Sequence, residues 1–168
     1  LQMLFRGQNI LGYRHYSDEG VEKLVQKSVE HGINIIRIFD ALNDLRNLKS
    51  AVDATNKYKS QYDGHCQIAL SYTTSPVHTI DYYVELAKEV EKMGADSICI
   101  KDMAGVLLPT DAYELFSRLK QSVSLPLELH THCTGGIAEI IGPNADLAVS
   151  EFGEAEALIN VTKDVAGN

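Results

Sequence analysis

Two histidines separated by one residue are the strongest candidates for chemistry in this sequence. His130, Thr131 and His132 close an apolar run that begins at Leu127. Side chains at positions i and i+2 of a β-strand lie on the same face, so a strand here directs both imidazoles to one side. Neutral imidazole is a common ligand for zinc and related divalent ions. The pattern therefore predicts a metal site, and the alternative is two polar histidines at the end of a strand.

Lys101 is a second candidate because it follows three apolar residues, 98–100, where its charge would be partly desolvated. A protonated amine does not bind a metal, whereas a lysine carbamylated by carbon dioxide presents carboxylate oxygens that do. Two imidazoles and one such oxygen ligand leave coordination positions open for a substrate. The alternative is an ordinary lysine that snorkels to solvent or pairs with Asp102.

Three further polar side chains stand where apolar runs end, namely Arg6, Asp40 and Tyr72. The guanidinium fork of Arg6 matches a carboxylate in two-point contact, which suits a small carboxylic acid as ligand. Gly7 follows it and allows the chain to turn closely beneath such a ligand. The alternative for Arg6 is a structural ion pair with Asp40. Asp40 and Tyr72 are weaker candidates that support a ligand site.

The elements that must position these residues form a regular repeat. Five apolar runs begin about every thirty residues, which is the size of one strand–helix unit; they cover 1–6, 34–39, 66–72, 97–101 and 127–132. Between them, apolar residues recur at helical spacing over 18–31, 44–59, 79–93 and 110–122. Ser17 and Thr79 are expected as helix N-caps, Pro109 suits a first helical turn, and Gly32 and Gly94 suit helix C-termini.

Alternating strands and helices predict a parallel sheet covered on its faces. The constant repeat favours a (β/α)8 barrel, or TIM barrel, over a doubly wound sheet. Such a barrel typically takes about 250 residues. The 168 residues present therefore predict an α/β fold that is a partial (β/α)8 barrel of about five to six βα units. We assign 1–139 to this barrel and 140–168 to a tail, with a strand expected over 145–149 and a helix over 153–165.

Composition narrows the class of protein. The 45% hydrophobic and 23% charged content is that of an ordinary globular domain. A net charge of −8 argues against nucleic acid as a partner, because phosphate binding needs a basic face. No apolar stretch is long enough to predict membrane insertion. The three cysteines are far apart and lie in apolar runs, which predicts reduced thiols and a cytoplasmic location.

Five motifs, in order and spacing, resemble the carboxyltransferase domain of biotin-dependent enzymes. This domain occurs in the oxaloacetate decarboxylase α subunit, the pyruvate carboxylase B subunit and transcarboxylase. The resemblance covers about 1–139, and 71–78 looks closest to the first two. The motifs are 6–16, 37–44, 71–78, Ile100-Lys101-Asp102-Met103-Ala104-Gly105 and His130-Thr131-His132-Cys133-Thr134-Gly135-Gly136.

The resemblance implies metal-dependent carboxyl transfer between biotin and pyruvate or oxaloacetate. It implies a divalent metal (zinc, manganese or cobalt) held by carbamylated Lys101, His130 and His132, and biotin carried by a partner domain. It also implies that Arg6 contacts the substrate carboxylate or carbonyl and that Tyr13 lies near the biotin pocket. The family pattern includes an aspartate ligand on a strand expected before residue 1 and a proton-carrying threonine beyond residue 139. We assign neither of these to a residue of the chain.

Two rival interpretations remain open. A metal-dependent aldol- or Claisen-type lyase or synthase barrel also carries a His-x-His strand, although the lysine before a Met-Ala-Gly loop favours carboxyl transfer. The other is an inactive fragment or interaction module, because a partial sheet with open edges favours self-association. On this basis, the chain by itself is not expected to be a competent carboxyltransferase.

Overall fold

The computed structural model describes residues 1–132 and 159–162. Strands and helices alternate along the chain, with a short 3-10 helix (Gly7–Asn9) after the first strand. In chain order the elements are β1 (Gln2–Phe5), α1 (Asp18–Glu30), β2 (Ile35–Asp40), α2 (Leu45–Tyr62), β3 (His65–Ser71), α3 (Ile80–Lys92), β4 (Ser97–Asp102), α4 (Pro109–Ser122), β5 (Leu127–His132) and β6 (Ile159–Thr162). The five predicted strands and four predicted helices are confirmed, with ends within about three residues.

The chain forms two compact units, each of which contains parallel strands. The first unit comprises Leu1–Leu70 and Glu89–Ile98, and the second comprises Ser71–Lys88 and Cys99–Asn168. In the first unit β1, β2 and β3 pair in parallel, so that Phe5 lies opposite Ile38 and Ile38 opposite Ile68. In the second unit the order is β4, β5, β6, and β5 pairs in parallel with β6. In both units the order in the sheet is the order in the chain.

The helix ends follow the predicted capping chemistry. The Ser17 hydroxyl accepts a hydrogen bond from the Gly20 amide (3.2 Å), and the Thr79 hydroxyl accepts one from the Tyr82 amide (3.2 Å). Pro109 is the first residue of α4, where its missing amide proton costs nothing. Gly32 and Gly94 turn the chain after α1 and α3 with φ of 94° and 88°.

Each strand contributes apolar side chains to a core that the helices cover. All six residues of β4 are buried, as expected for a strand with both faces covered. In β5 the burial alternates: Leu127, Leu129 and Thr131 are buried, while Glu128 and the two histidines are partly exposed. That alternation leaves one face of β5 more open than the other. No helix in the described part of the chain is long and apolar enough to cross a membrane.

The helix predicted over 153–165 is wrong at its centre, because Ile159–Thr162 form β6. Three of these four residues (Ile159, Val161 and Thr162) are β-branched and favour extended backbone. Backbone pairing with β5 supplies the remaining stabilisation, with Thr131 opposite Val161. The strand predicted over 145–149 lies outside the described residues, as do Cys133 and the small-residue loop that follows it.

Candidate active site

The two histidines lie together at the end of β5 in the second unit. Their ring centroids are 5.1 Å apart and the ring planes differ by 30°, so the imidazoles stack along one face of the strand. This is the arrangement that the i, i+2 spacing predicts. Both rings lie on the partly exposed face of β5, opposite the buried face that carries Thr131. Their nitrogen atoms can therefore serve a common ligand.

Lys101 lies near the end of β4, the strand next to β5 in the second unit. It is 4% exposed, so it does not snorkel to solvent. The next residue, Asp102, receives a hydrogen bond from the Thr131 hydroxyl (3.3 Å), which places Asp102 on the buried face of β5. Because successive side chains alternate across a sheet, Lys101 lies on the same face as His130 and His132.

Asp102 is a residue whose importance the sequence pattern did not predict. It is fully buried, and its carboxylate accepts hydrogen bonds from the amides of Val106 (3.1 Å) and Leu107 (2.9 Å) as well as from Thr131. These bonds hold the loop that leaves β4. The sequence suggests Asp102 only as an ion-pair partner of Lys101. The signal that could have found it is an aspartate directly before a Met-Ala-Gly loop, where backbone amides need an acceptor.

Tyr72 follows β3 in the second unit, where its amide donates to the Lys101 carbonyl (2.8 Å). Its ring stacks on that of Tyr83, with centroids 5.3 Å apart. Burial, followed by the negative charges of Asp111 and Asp102, raises the pKa of Tyr72 above its ordinary value. The phenol therefore keeps its proton at neutral pH and can act as a hydrogen-bond donor.

Arg6 and Tyr13 lie together in the first unit, on the loop that follows β1. The Arg6 guanidinium carbon is 5.7 Å from the centroid of the Tyr13 ring, a cation–π contact. Both side chains are exposed, Tyr13 by 91%. The close turn predicted at Gly7 is present, with φ of 48°. A side chain at Gly7 would come within 2.5 Å of the Asn47 carbonyl oxygen, so only glycine fits.

Asp40 organises the loop between β2 and α2 in the first unit. Its carboxylate accepts hydrogen bonds from the amides of Leu42 (2.8 Å) and Asp44 (3.0 Å) and from the Asn47 side chain (2.8 Å). The Asn47 oxygen in turn accepts from the Gln8 amide (3.3 Å), next to Gly7. Asp40 thus supports the Arg6 loop through Asn47. The sequence predicts that Asp40 supports a ligand site, but it does not predict that Asn47 links Asp40 to the Gln8 amide.

Among the described residues of the second unit, the donor set suits a divalent metal if Lys101 supplies an oxygen. Among the described residues there is no group of three or more histidines, cysteines, aspartates or glutamates that could hold a metal ion. Two imidazoles on one face provide two nitrogen donors, and the lysine amine on the same face would be the site of the third donor. The chemistry of this set therefore fits a metal bound through a carbamate.

A strand–helix repeat with ionisable residues at the ends of its strands is typical of the (β/α)8 barrels of enzymes, and the chain forms part of such a barrel. The chain belongs to the HMGL-like family, whose model matches residues 18–150. Over 160 residues it is 55% identical to the pyruvate carboxylase B subunit of Methanocaldococcus jannaschii, covering 90% of this chain and 28% of that protein. It is 47% identical over 142 residues to the methylmalonyl-CoA carboxyltransferase 5S subunit of Propionibacterium freudenreichii subsp. shermanii, covering 83% of this chain and 27% of that protein.

Solved structures agree with the sequence relatives. The carboxyl transferase domain of Rhizobium etli pyruvate carboxylase, determined with pyruvate and biocytin, matches with a TM-score of 0.79 and 38% identity, covering 90% of this chain and 25% of that chain. The predicted partial barrel and the resemblance to carboxyltransferase domains are confirmed. The chain is a member of the family to which these carboxylases and carboxyltransferases belong, and it spans a little over a quarter of the length of these two curated relatives.

Proposed function

We propose that this chain is part of a carboxyltransferase that moves a carboxyl group between biotin, carried on a partner domain, and pyruvate or oxaloacetate. One feature carries the proposal: a buried lysine near the end of β4 lies, by the alternation of side chains along that strand, on the face that carries the two stacked histidines of β5. The carboxylase and carboxyltransferase relatives support the reaction class. The Rhizobium etli structure with pyruvate and biocytin supports pyruvate and biotin as the two substrates.

Carbamylated Lys101, His130 and His132 would hold a divalent metal, for which zinc, manganese and cobalt are the candidates. When bound, the metal would polarise the keto oxygen of the substrate, where negative charge develops as the carboxyl group leaves or arrives. The chain's own contribution is to present two neutral imidazoles and one carbamate from rigid strands. Strands fix such ligands more precisely than loops do.

Arg6 is proposed to bind the substrate carboxylate, because its exposed guanidinium offers a two-point contact. The Tyr13 ring lies beside that guanidinium and is proposed to contact biotin. Tyr72, whose phenol stays protonated, is proposed to donate a hydrogen bond to the substrate. Asp40 is proposed to act indirectly, since its carboxylate holds the loop beneath Arg6.

The partners and location of the protein are also proposals. A biotin carrier domain is the partner that carboxyl transfer requires. Self-association is proposed because Leu4 is 39% exposed on β1, which lies at an edge of the described sheet and can pair with another strand. The buried thiols of Cys66 and Cys99, neither of which forms a disulfide, support a reducing, cytoplasmic location. The net charge of −8 supports the absence of nucleic acid among the partners.

A segment exchange tests the proposed function. The matching segment of the Methanocaldococcus jannaschii protein would be replaced by this chain, to which it is 55% identical, and carboxyl transfer between biotin and pyruvate would be measured. We expect the chimera to be active and Lys101→Ala in the chimera to abolish transfer. Lys88→Ala, which removes an exposed lysine of α3, is the matched control and should retain activity. A folded chimera without activity, or an active Lys101→Ala variant, would contradict the proposal.

A further inference from the structure

Asp102 and Thr131 meet on the face of the second unit opposite the proposed metal ligands. Asp102 is fully buried and Thr131 is 1% exposed. Neither side chain can contribute a ligand to the open face of β5, yet each is the sequence neighbour of one: Asp102 follows Lys101, and Thr131 separates the two histidines. Their contact therefore joins the two strands at the level of the site.

The Asp102 carboxylate has two distinct tasks. One oxygen accepts from the Val106 amide (3.1 Å), and the other accepts from the Leu107 amide (2.9 Å) and the Thr131 hydroxyl (3.3 Å). A buried carboxylate needs several donors to offset its lost hydration. The two amide bonds shape the loop that leaves β4. The third bond is the one that crosses to β5.

The Thr131 hydroxyl has a single proton and two acceptors within reach, the Asp102 carboxylate at 3.3 Å and the His132 carbonyl at 3.5 Å. The shorter distance and the negative charge favour the carboxylate. A valine at this position would keep the buried shape and lose only the bond. The contribution of the cross-strand bond can therefore be separated from that of the loop.

We propose that Asp102 and Thr131 are positioning residues that fix Lys101 against His130 and His132 by locking the register of β4 on β5. A shift of one residue along a strand would carry every side chain to the other face of the sheet. Smaller displacements also matter, since a metal or catalytic site tolerates errors of only about half an ångström. The proposal rests on the metal site proposed above, and it adds two residues that never touch the metal.

The test compares Thr131→Val with Thr131→Ser, which keeps the hydroxyl, in the 168-residue chain. Zinc affinity would be measured by calorimetry in the presence of bicarbonate, and stability by urea unfolding. We expect Thr131→Val to weaken zinc binding about tenfold, as for other residues that orient ligands, and Thr131→Ser to restore it. The matched control is Thr55→Val, which removes a buried threonine hydroxyl bonded to the Ala51 carbonyl (2.8 Å) in α2. It should lose comparable stability without losing zinc affinity.

A second readout separates this inference from the proposed function. Proton resonances of the His130 and His132 rings, recorded without metal, should move in Thr131→Val and stay in place in Thr55→Val. If zinc does not bind even to the unaltered chain but the ring resonances move, the proposed function fails and the positioning role stands. If the resonances and, where zinc binds, its affinity are unchanged in Thr131→Val, the positioning role is overturned.

Discussion

Lys101 is 4% exposed and lies on the same face of the sheet as the imidazoles of His130 and His132. This arrangement is unusual, because burial penalises a charged amine. Carbamylation would replace that cation with an anion, and a divalent ion would then neutralise the anion. Burial of Lys101 and the proposed modification therefore support each other. Two other residues also have environments that determine their properties: burial lowers the reactivity of Cys66, and close contact with Asn47 restricts Gly7.

Cys66 should be unreactive in the folded protein. Burial, followed by the negative charge of Asp96, raises the pKa of its thiol to about 12. Only the thiolate is nucleophilic, so at pH 8 roughly one molecule in ten thousand would carry a reactive Cys66. We expect no labelling by iodoacetamide under native conditions and full labelling in urea, with peptide mass spectrometry as the measurement. Lys88→Cys, at an exposed position of α3, provides the reactive reference. Native labelling of Cys66 at the rate of that reference would contradict the buried environment.

Gly7→Ala should destabilise the first unit and the Arg6 loop. The left-handed backbone at Gly7 disfavours a side chain, and the new methyl group would lie 2.5 Å from the Asn47 carbonyl oxygen. We expect a loss of at least about 2 kcal/mol in the free energy of unfolding, measured with urea. Gly12→Ala is the control, because its methyl group would meet atoms no closer than 3.6 Å. Equal stability of the two variants would show that the turn at Gly7 relaxes freely.

At the scale of elements, the loop that follows β3 is held by a side chain from α3. Tyr83 of α3 is 1% exposed, and its hydroxyl accepts from the Thr73 amide (2.8 Å) while the Ser71 and Thr73 carbonyls lie within 3.3 Å of it. The same ring stacks on Tyr72. Tyr83 thus positions both the loop after β3 and Tyr72, the side chain proposed to donate a hydrogen bond to the substrate.

Tyr83→Phe should loosen this loop without disturbing the ring packing. The Thr73 amide would lose its acceptor in a partly buried place, which costs about 1–3 kcal/mol in the free energy of unfolding. Amide hydrogen exchange at Thr73 should accelerate in parallel. Tyr82→Phe removes the hydroxyl of the neighbouring tyrosine, which contacts Tyr83 edge-on, and serves as the control. Unchanged exchange at Thr73 would mean that the hydroxyl bond does not hold the loop.

Periodicity is sufficient to predict most elements, because β4 contains three consecutive apolar residues, β5 alternates buried and partly exposed residues, and helices such as α1 bury residues at helical spacing. It failed at Ile159–Thr162, where backbone pairing with β5 and β-branched side chains override a weak helical pattern. The residue types at strand ends were enough to nominate Lys101, His130 and His132. The Asp102–Thr131 and Asn47–Gln8 contacts were not predictable, because they join residues 29 and 39 positions apart and depend on strand register.

At the scale of the whole molecule, the chain matches one part of longer relatives. It spans 28% of the Methanocaldococcus jannaschii protein and 25% of the Rhizobium etli chain. The proposed metal site has one distinguishing feature, a ligand that would exist only when carbon dioxide has reacted with Lys101.

The most direct test is zinc binding by the 168-residue chain at fixed free zinc concentration, with and without dissolved carbon dioxide. We expect carbon dioxide to strengthen binding in the unaltered chain and in the Lys88→Ala control. Lys101→Ala should weaken binding at least about tenfold and remove the response to carbon dioxide. His130→Ala and His132→Ala should weaken binding under both conditions. Zinc affinity in the presence of carbon dioxide that is the same in Lys101→Ala as in the unaltered chain would contradict the proposed metal site.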